Sequence, residues 1–202
     1  MEDKIKTLVV EKYPMVRLVA HIVGLSDPIG IDHSRRVGSL SLNLARFIKW
    51  DDPDDLEILY LSALLHDIGK LAIPESVRLK PGGLMESEWM VIRQHPGWGK
   101  DILGMMNSHL SKRVVSAVYA HHENWNGSGY PLGIAGEEIP YEARIIRIAD
   151  TYDAMTNSRG FRSPITHVDA VNIMEIDQGD GVLFDPEIFR SFLTMMRGNE
   201  KV

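Results

Sequence analysis

The chain has 202 residues, 44% of them hydrophobic, and a formal net charge of −6 from 22 Lys and Arg against 28 Asp and Glu. This length and apolar share suit one globular domain with a sizeable core; the acidic balance excludes general adhesion to nucleic-acid polymers, which calls for a basic surface. There is no cysteine, which excludes disulfides and thiolate metal sites and fits a reducing compartment.

Residues 2–25 carry Ile5, Leu8, Val9, Val16, Leu18, Val19 and Ile22 at helical spacing, with Pro14 dividing them into two pieces. Within that stretch the apolar run Val16 to Leu25 contains Arg17 and His21 and is too short to cross a membrane. Met1 to Lys6 lacks a signal-peptide pattern. The chain therefore reads as cytoplasmic, with no membrane partner. Asp27-Pro28-Ile29-Gly30 predicts a turn, and a helix is expected from about Ile31 to Ile48, with His33 in its first turn. Its buried stripe is Val37, Leu40, Leu44, Phe47 and Ile48.

Asp51-Asp52-Pro53 ends one helix and starts the next, placing acids at a helix N-terminus. The helix from Asp54 to about Asp67 is apolar almost all round, so it should be the central, buried one. It delivers His66-Asp67 into the core, where polar groups need partners. Residues 68–85 read as a loop rich in Gly, Pro and Lys.

Helices are expected from about Glu86 to Gln94, Gly97 to Met106 and Leu110 to His121, with His95-Pro96 between the first two. Glu123 to Pro140 is a long loop containing Trp125-Asn126-Gly127-Ser128-Gly129-Tyr130-Pro131, and loops of this length in compact domains usually serve function. A helix from about Tyr141 to Asn157 carries Asp150 and Asp153. Thr166 with Asp169 predicts a capping box, and Asp185-Pro186 predicts the start of the last helix. No strand-like alternation competes, so the fold class is all-α, a helical bundle in a single domain. Residues 1–26 are a helical lead-in and 27–202 the domain.

His33, His66, Asp67, His95, His121, His122 and Asp150 stand at or near expected helix ends. Neutral imidazoles with carboxylates suit iron, manganese or another ion that takes nitrogen and oxygen ligands. Seven ligands are too many for one ion and suit two if Asp67, in the middle of the set, bridges. Two such ions can hold a hydroxide between them and clamp both oxygens of a phosphoryl displacement. His21, His109 and His167 read as ordinary surface or helix-start residues. Any one ligand alone is more often a cap than a ligand; the adjacent His121-His122 pair beside an apolar helix is harder to explain that way.

The order His33, His66-Asp67, Asp150 resembles the pattern of the HD superfamily of metal-dependent phosphohydrolases. With His66-Asp67-Ile68-Gly69-Lys70, His95-Pro96, His121-His122-Glu123 and Gly129-Tyr130-Pro131, the chain resembles the HD-GYP subfamily from about Asp27 to Phe189. The resemblance implies a cyclic di-GMP phosphodiesterase forming pGpG, with onward cleavage to GMP in some relatives. It implies one metal on His33, His66, Asp67 and Asp150, and a second on Asp67, His95, His121 and His122. Lys70 would touch the scissile phosphate, Arg159 and Arg162 would contact the ligand, and Asp153 would be a proton carrier or support a metal ligand. Tyr130 would shape the loop beside the pocket, more by packing than by chemistry.

Three positions depart from the family pattern. Ile29 stands where some members place a glutamate for a third metal, so two metals are expected. Asp32 replaces the usual glycine before His33, and Asn126 replaces an aspartate in the Trp-Asp-Gly-Ser-Gly-Tyr-Pro loop. Residues 1–25 are too few for the sensory domain that often precedes such domains, which points to regulation by a separate protein, or to a fragment; a homodimer is also open. The competing readings are a phosphohydrolase for another nucleotide such as cyclic GMP-AMP, and a non-catalytic signalling or docking module. The complete ligand set argues against the last.

Overall fold

Three helices in this chain begin where proline follows a capping aspartate, at Asp27-Pro28, Asp52-Pro53 and Asp185-Pro186. The computed structural model describes residues 5, 7, 9, 11–80, 82–106, 110–157, 163–178 and 183–198, side chains at 25, 26 and 28 excepted. Helix α1 spans Pro14–Ser26, α2 Pro28–Phe47 and α3 Pro53–Leu65, each opening on proline, where the missing N–H costs nothing. Asp27 Oδ1 caps α2 by accepting from Gly30 N at 2.8 Å, and Asp52 Oδ1 caps α3 by accepting from Asp54 N at 2.9 Å. Because Asp27-Pro28 starts α2 earlier than the periodicity predicts, His33 lies in its second turn.

The expected loop 68–85 contains two short helical pieces, a 3₁₀ turn Ile68–Ala72 and α4 Glu75–Arg78. Composition hid them, since a single turn shows no apolar period. Then follow α5 Glu86–Ile92, α6 His95–Met105, α7 Lys112–Ala120, α8 Tyr141–Thr156, α9 His167–Gln178 and α10 Pro186–Gly198. Thr166 and Asp169 form the expected cap, with Asp169 N donating to Thr166 Oγ1 at 3.1 Å. Asp185 Oδ1 accepts from Glu187 N at 3.0 Å and Ile188 N at 3.2 Å at the start of α10. Among the described residues there is no strand, and no helix is long and apolar enough to cross a membrane.

Helix α3 is the centre of the bundle, as its lack of a polar face predicts, and packs on α2, α7 and α8. Leu56, Leu59, Leu61, Ala63 and Leu65 are buried against Val37, Leu44, Val114, Val118, Ile145 and Ile148. Each of these leucines contributes about 1.5–3 kcal/mol by leaving water. One member of the predicted α2 stripe differs. Phe47 is 47% exposed, while Leu42 and Ala45 are fully buried. Phe47 is the last residue of α2, just before the chain turns at Lys49 with φ of 60°.

Candidate metal centre

The bundle brings seven side chains from five places in the sequence to one point. His33 comes from α2, His66-Asp67 from the residues just past α3, and His95 from the first position of α6. His121-His122 follow α7 directly, and Asp150 comes from α8. His66 and His121 are fully buried. His66-Asp67, His95 and His121-His122 stand where their helices stop or start, whereas His33, in the second turn of α2, and Asp150, in the middle of α8, lie within their helices rather than at the expected ends. Gly69 makes the closest approach possible: a Cβ there would overlap the His95 carbonyl oxygen and crowd Gly99 N. Only glycine lets the 3₁₀ turn after Asp67 press on α6 and bring Asp67 to His95.

The ligand atoms form two groups, Asp67 with His95, His121 and His122, and His33 with His66 and Asp150; within each group the atoms lie within 4.8 Å of one another. Asp67 faces both groups. Its Oδ1 is 3.3 Å from His95 Nε2, while its Oδ2 is 3.2 Å from His66 Nε2 and 3.8 Å from His33 Nε2. His33 Nε2 in turn is 3.0 Å from Asp150 Oδ1, and the His95 and His121 Nε2 atoms are 3.2 Å apart.

The imidazoles are oriented from behind. His66, His95 and His121 each place Nδ1 at 2.7 Å from the carbonyl oxygen three residues earlier, on Ala63, Ile92 and Val118. A carbonyl only accepts, so Nδ1 carries the proton and Nε2 turns its lone pair toward the centre. His33 is held by a charge instead: its Nδ1 lies 2.6 Å from Asp153 Oδ2. Arg36 donates to the same carboxylate, Nε to Oδ1 at 2.7 Å and a terminal nitrogen to Oδ2 at 3.0 Å.

Burial pushes His95 down to about 4, and burial with neighbouring imidazoles holds His121 and His122 well below the usual histidine range. All three are neutral at pH 7, the form a metal needs. Burial opposes the charge on Asp67, yet His66, Lys70 and His95 outweigh it and keep the carboxylate well below its usual range. Burial also opposes charge on His33, but Asp150 and Asp153 win and raise it. For Asp153, His33 and Arg36 outweigh burial and lower it. His66 Nε2 and Asp67 Oδ1 are buried without a hydrogen-bond partner among the described residues. Buried polar atoms left so are costly, and a cation in each ligand group would satisfy one of them, His66 Nε2 in the group with His33 and Asp67 Oδ1 in the group with His95. The donor set fits divalent metal.

Lys70 Nζ donates to Asp67 Oδ2 at 2.6 Å, which places an ammonium beside the centre. Tyr130 stacks on His122, with centroids 4.8 Å apart, and Arg93 lies 5.9 Å from its ring centre. It packs against a candidate ligand, as its loop position predicts. Gly129 is required there, since a Cβ would overlap Asn124 N and Glu123 Cα. Asn126 Oδ1 accepts from Ser128 N at 3.0 Å, a bond an aspartate makes equally well. Asp32 is exposed and pairs with Arg35, and Ile29 is half exposed. His167 pairs with the Tyr152 hydroxyl at 2.7 Å. Arg159, Arg162 and His109 lie outside the described residues.

The roles of two supporting residues escaped sequence reasoning. Arg36 looks like solvated helix charge, and its partner Asp153 is 117 residues away. Glu123 is buried and accepts from Leu132 N at 2.6 Å and Gly133 N at 3.1 Å, anchoring the long loop. The only signal for it was an acid immediately after two histidines.

A family model described as "HD domain" matches residues 17–188. The chain is 38% identical over 167 residues to a cyclic di-GMP phosphodiesterase of Vibrio cholerae, covering 79% of this chain and 34% of that protein. It is 35% identical over 175 residues to 3'3'-cGAMP-specific phosphodiesterase 3 of the same organism, covering 87% and 37%. The chain thus spans about a third of the length of these curated relatives. Bd1817, an HDG"Y"P protein from Bdellovibrio bacteriovorus, matches in structure with a TM-score of 0.69 at 19% identity, over 98% of this chain and 69% of that one. At that identity the likeness shows the fold.

Proposed function

This chain belongs to the HD-domain family and carries the HD-GYP signature, and on that premise we propose that it is a metal-dependent phosphodiesterase that opens cyclic di-GMP to pGpG. The observation that carries the reading is Asp67, one carboxylate with an oxygen turned to each of two ligand groups. We assign His33, His66, Asp67 and Asp150 to one divalent ion and Asp67, His95, His121 and His122 to another. Imidazole and carboxylate together favour iron or manganese.

Such ions, when bound, supply water activated near neutral pH and positive charge beside the phosphoryl oxygens. The chain's own residues do the rest. The three carbonyl-anchored imidazoles and His33 present Nε2 lone pairs without further reorganisation. Lys70 places its ammonium where charge builds on the phosphoryl group, the term that commonly dominates catalysis. Water adds to phosphorus, the bond from phosphorus to one ribose 3' oxygen breaks, and that oxygen takes a proton. Asp153 has both oxygens engaged, by His33 and Arg36, so its role is to orient His33 rather than to carry that proton.

The test is product chromatography after incubating anaerobically purified, metal-loaded protein with cyclic di-GMP. The reading expects pGpG, with GMP later if cleavage continues; intact substrate at full metal occupancy would refute it. Cyclic GMP-AMP is a second reading, favoured by the comparable identity to the cGAMP-specific relative, and the same assay with that substrate separates the two.

A further inference from the structure

A cavity of about 410 Å³ shares His33, Asp67 and Lys70 with the metal centre. Its remaining wall is mostly apolar, including Val23, Leu64, Ile73 and Ile92, with Trp89 also in the lining. Trp89 is 44% exposed, so part of its ring is accessible. The volume and the apolar walls with few polar groups are those of a small-molecule pocket, for which roughly 300–1,000 Å³ is typical. Phosphate and ribose would lose hydration against such walls, whereas the flat face of a heterocycle would not.

The polar groups in the lining narrow the ligand further. Asp27 Oδ1 is used by the cap of α2, while Oδ2 is 3.4 Å from Arg78, which also lines the cavity. Each carboxylate oxygen has two lone pairs, so capping and Arg78 leave acceptor capacity. Guanine offers a carboxylate two adjacent donors, N1–H and the exocyclic N2 amine. Adenine turns the N1 lone pair there instead, which a carboxylate repels.

We propose that this cavity seats one purine of the substrate against Trp89, and that Asp27 selects guanine by accepting from its N1–H and N2 amine. This rests on the cyclic dinucleotide reading above and adds to it the place and identity of one base. A base on Trp89 and a phosphate at Lys70 then belong to a single bound molecule.

The test compares kcat/KM for cyclic di-GMP and cyclic di-AMP in wild type, Asp27→Asn and Trp89→Leu, each with a thermal melt. Asp27→Asn keeps an oxygen for the cap. It should lower the cyclic di-GMP value about 10- to 100-fold, the weight of a good two-bond base contact, and change cyclic di-AMP less than threefold. Trp89→Leu should raise KM for cyclic di-GMP about tenfold or more through lost stacking, with kcat nearly kept. An equal fall for both substrates in Asp27→Asn, or an unchanged KM in Trp89→Leu, would overturn the proposal. If wild type cleaves neither substrate, the function above fails, and calorimetric titration with GMP and AMP still decides the cavity. GMP binding that weakens in both variants supports it, and equal affinity for GMP and AMP overturns it.

Discussion

Replacing Asp153 with asparagine removes a charge that never touches the metal ligands' inner atoms, yet it should weaken the centre. Asp153 holds two partners of unequal exposure. Arg36 has 40% of its side chain exposed, and water can replace much of what it loses. His33 is 4% exposed, and its 2.6 Å contact to Asp153 has no solvent substitute. The asparagine amide can also donate to His33 Nδ1, which moves the ring proton to Nε2, the atom that faces Asp150 and Asp67. Groups that orient metal-bound histidines are each worth about 10–100-fold in affinity or activity, or about 1.4–2.7 kcal/mol. Asp153→Asn should therefore weaken one of two metal equilibria by that factor and leave the other within about threefold. Arg36→Gln should shift neither by more than about fivefold. The assay is competitive metal titration with a fluorescent chelator on both variants. Equal affinities in wild type and Asp153→Asn, or a larger loss in Arg36→Gln, would refute the reasoning.

Lys70→Ala should keep its metals and lose kcat by about 100-fold, since the ammonium acts on developing charge; metal loss in that variant, measured by elemental analysis, would show that Lys70 supports the ligands instead. Gly69→Ala should destabilise the protein by about 1–3 kcal/mol or more in urea melts, because the new Cβ meets backbone that cannot yield; an unchanged midpoint would contradict the close packing of the 3₁₀ turn on α6. Stripped of metal, the protein should lose stability as pH falls. His95 is near 6.5 when unfolded and about 4 when folded, so between those values the unfolded chain binds more protons and acid favours it. That difference alone is roughly 3 kcal/mol, lost between pH 6.5 and 4; urea midpoints that stay level across this window would contradict a neutral, buried His95.

Much of the fold was legible because this chain marks its helices with local chemistry. Asp52-Pro53 and Asp185-Pro186 announce caps, and the unbroken apolar run from Leu56 to Leu65 announces the buried helix. Asp27-Pro28 is the same kind of cap but reads as a turn, so α2 starts at Pro28 rather than at about Ile31. The candidate site was legible for a different reason: imidazoles and carboxylates beside apolar helices need partners, and seven of them need one another. What stayed hidden depends on distant contacts. Nothing local to Arg36 points to Asp153, 117 residues on. Gly69 is required by the backbone of His95 and Gly99, which no turn preference reveals. The cavity beside Lys70 is assembled from α1, α2, the end of α3 and the residues up to Ile92, and no single stretch carries its shape. Phe47 continued the α2 period but fell at the helix end, where periodicity no longer predicts cover.

The most direct measurement is the metal content of anaerobically purified wild type and Asp67→Ala, with circular dichroism to show that both fold. A single carboxylate shared by two ligand groups predicts two ions per wild-type chain and loss of both from the variant. One ion per chain in wild type, or one retained at full affinity in folded Asp67→Ala, would contradict the shared centre.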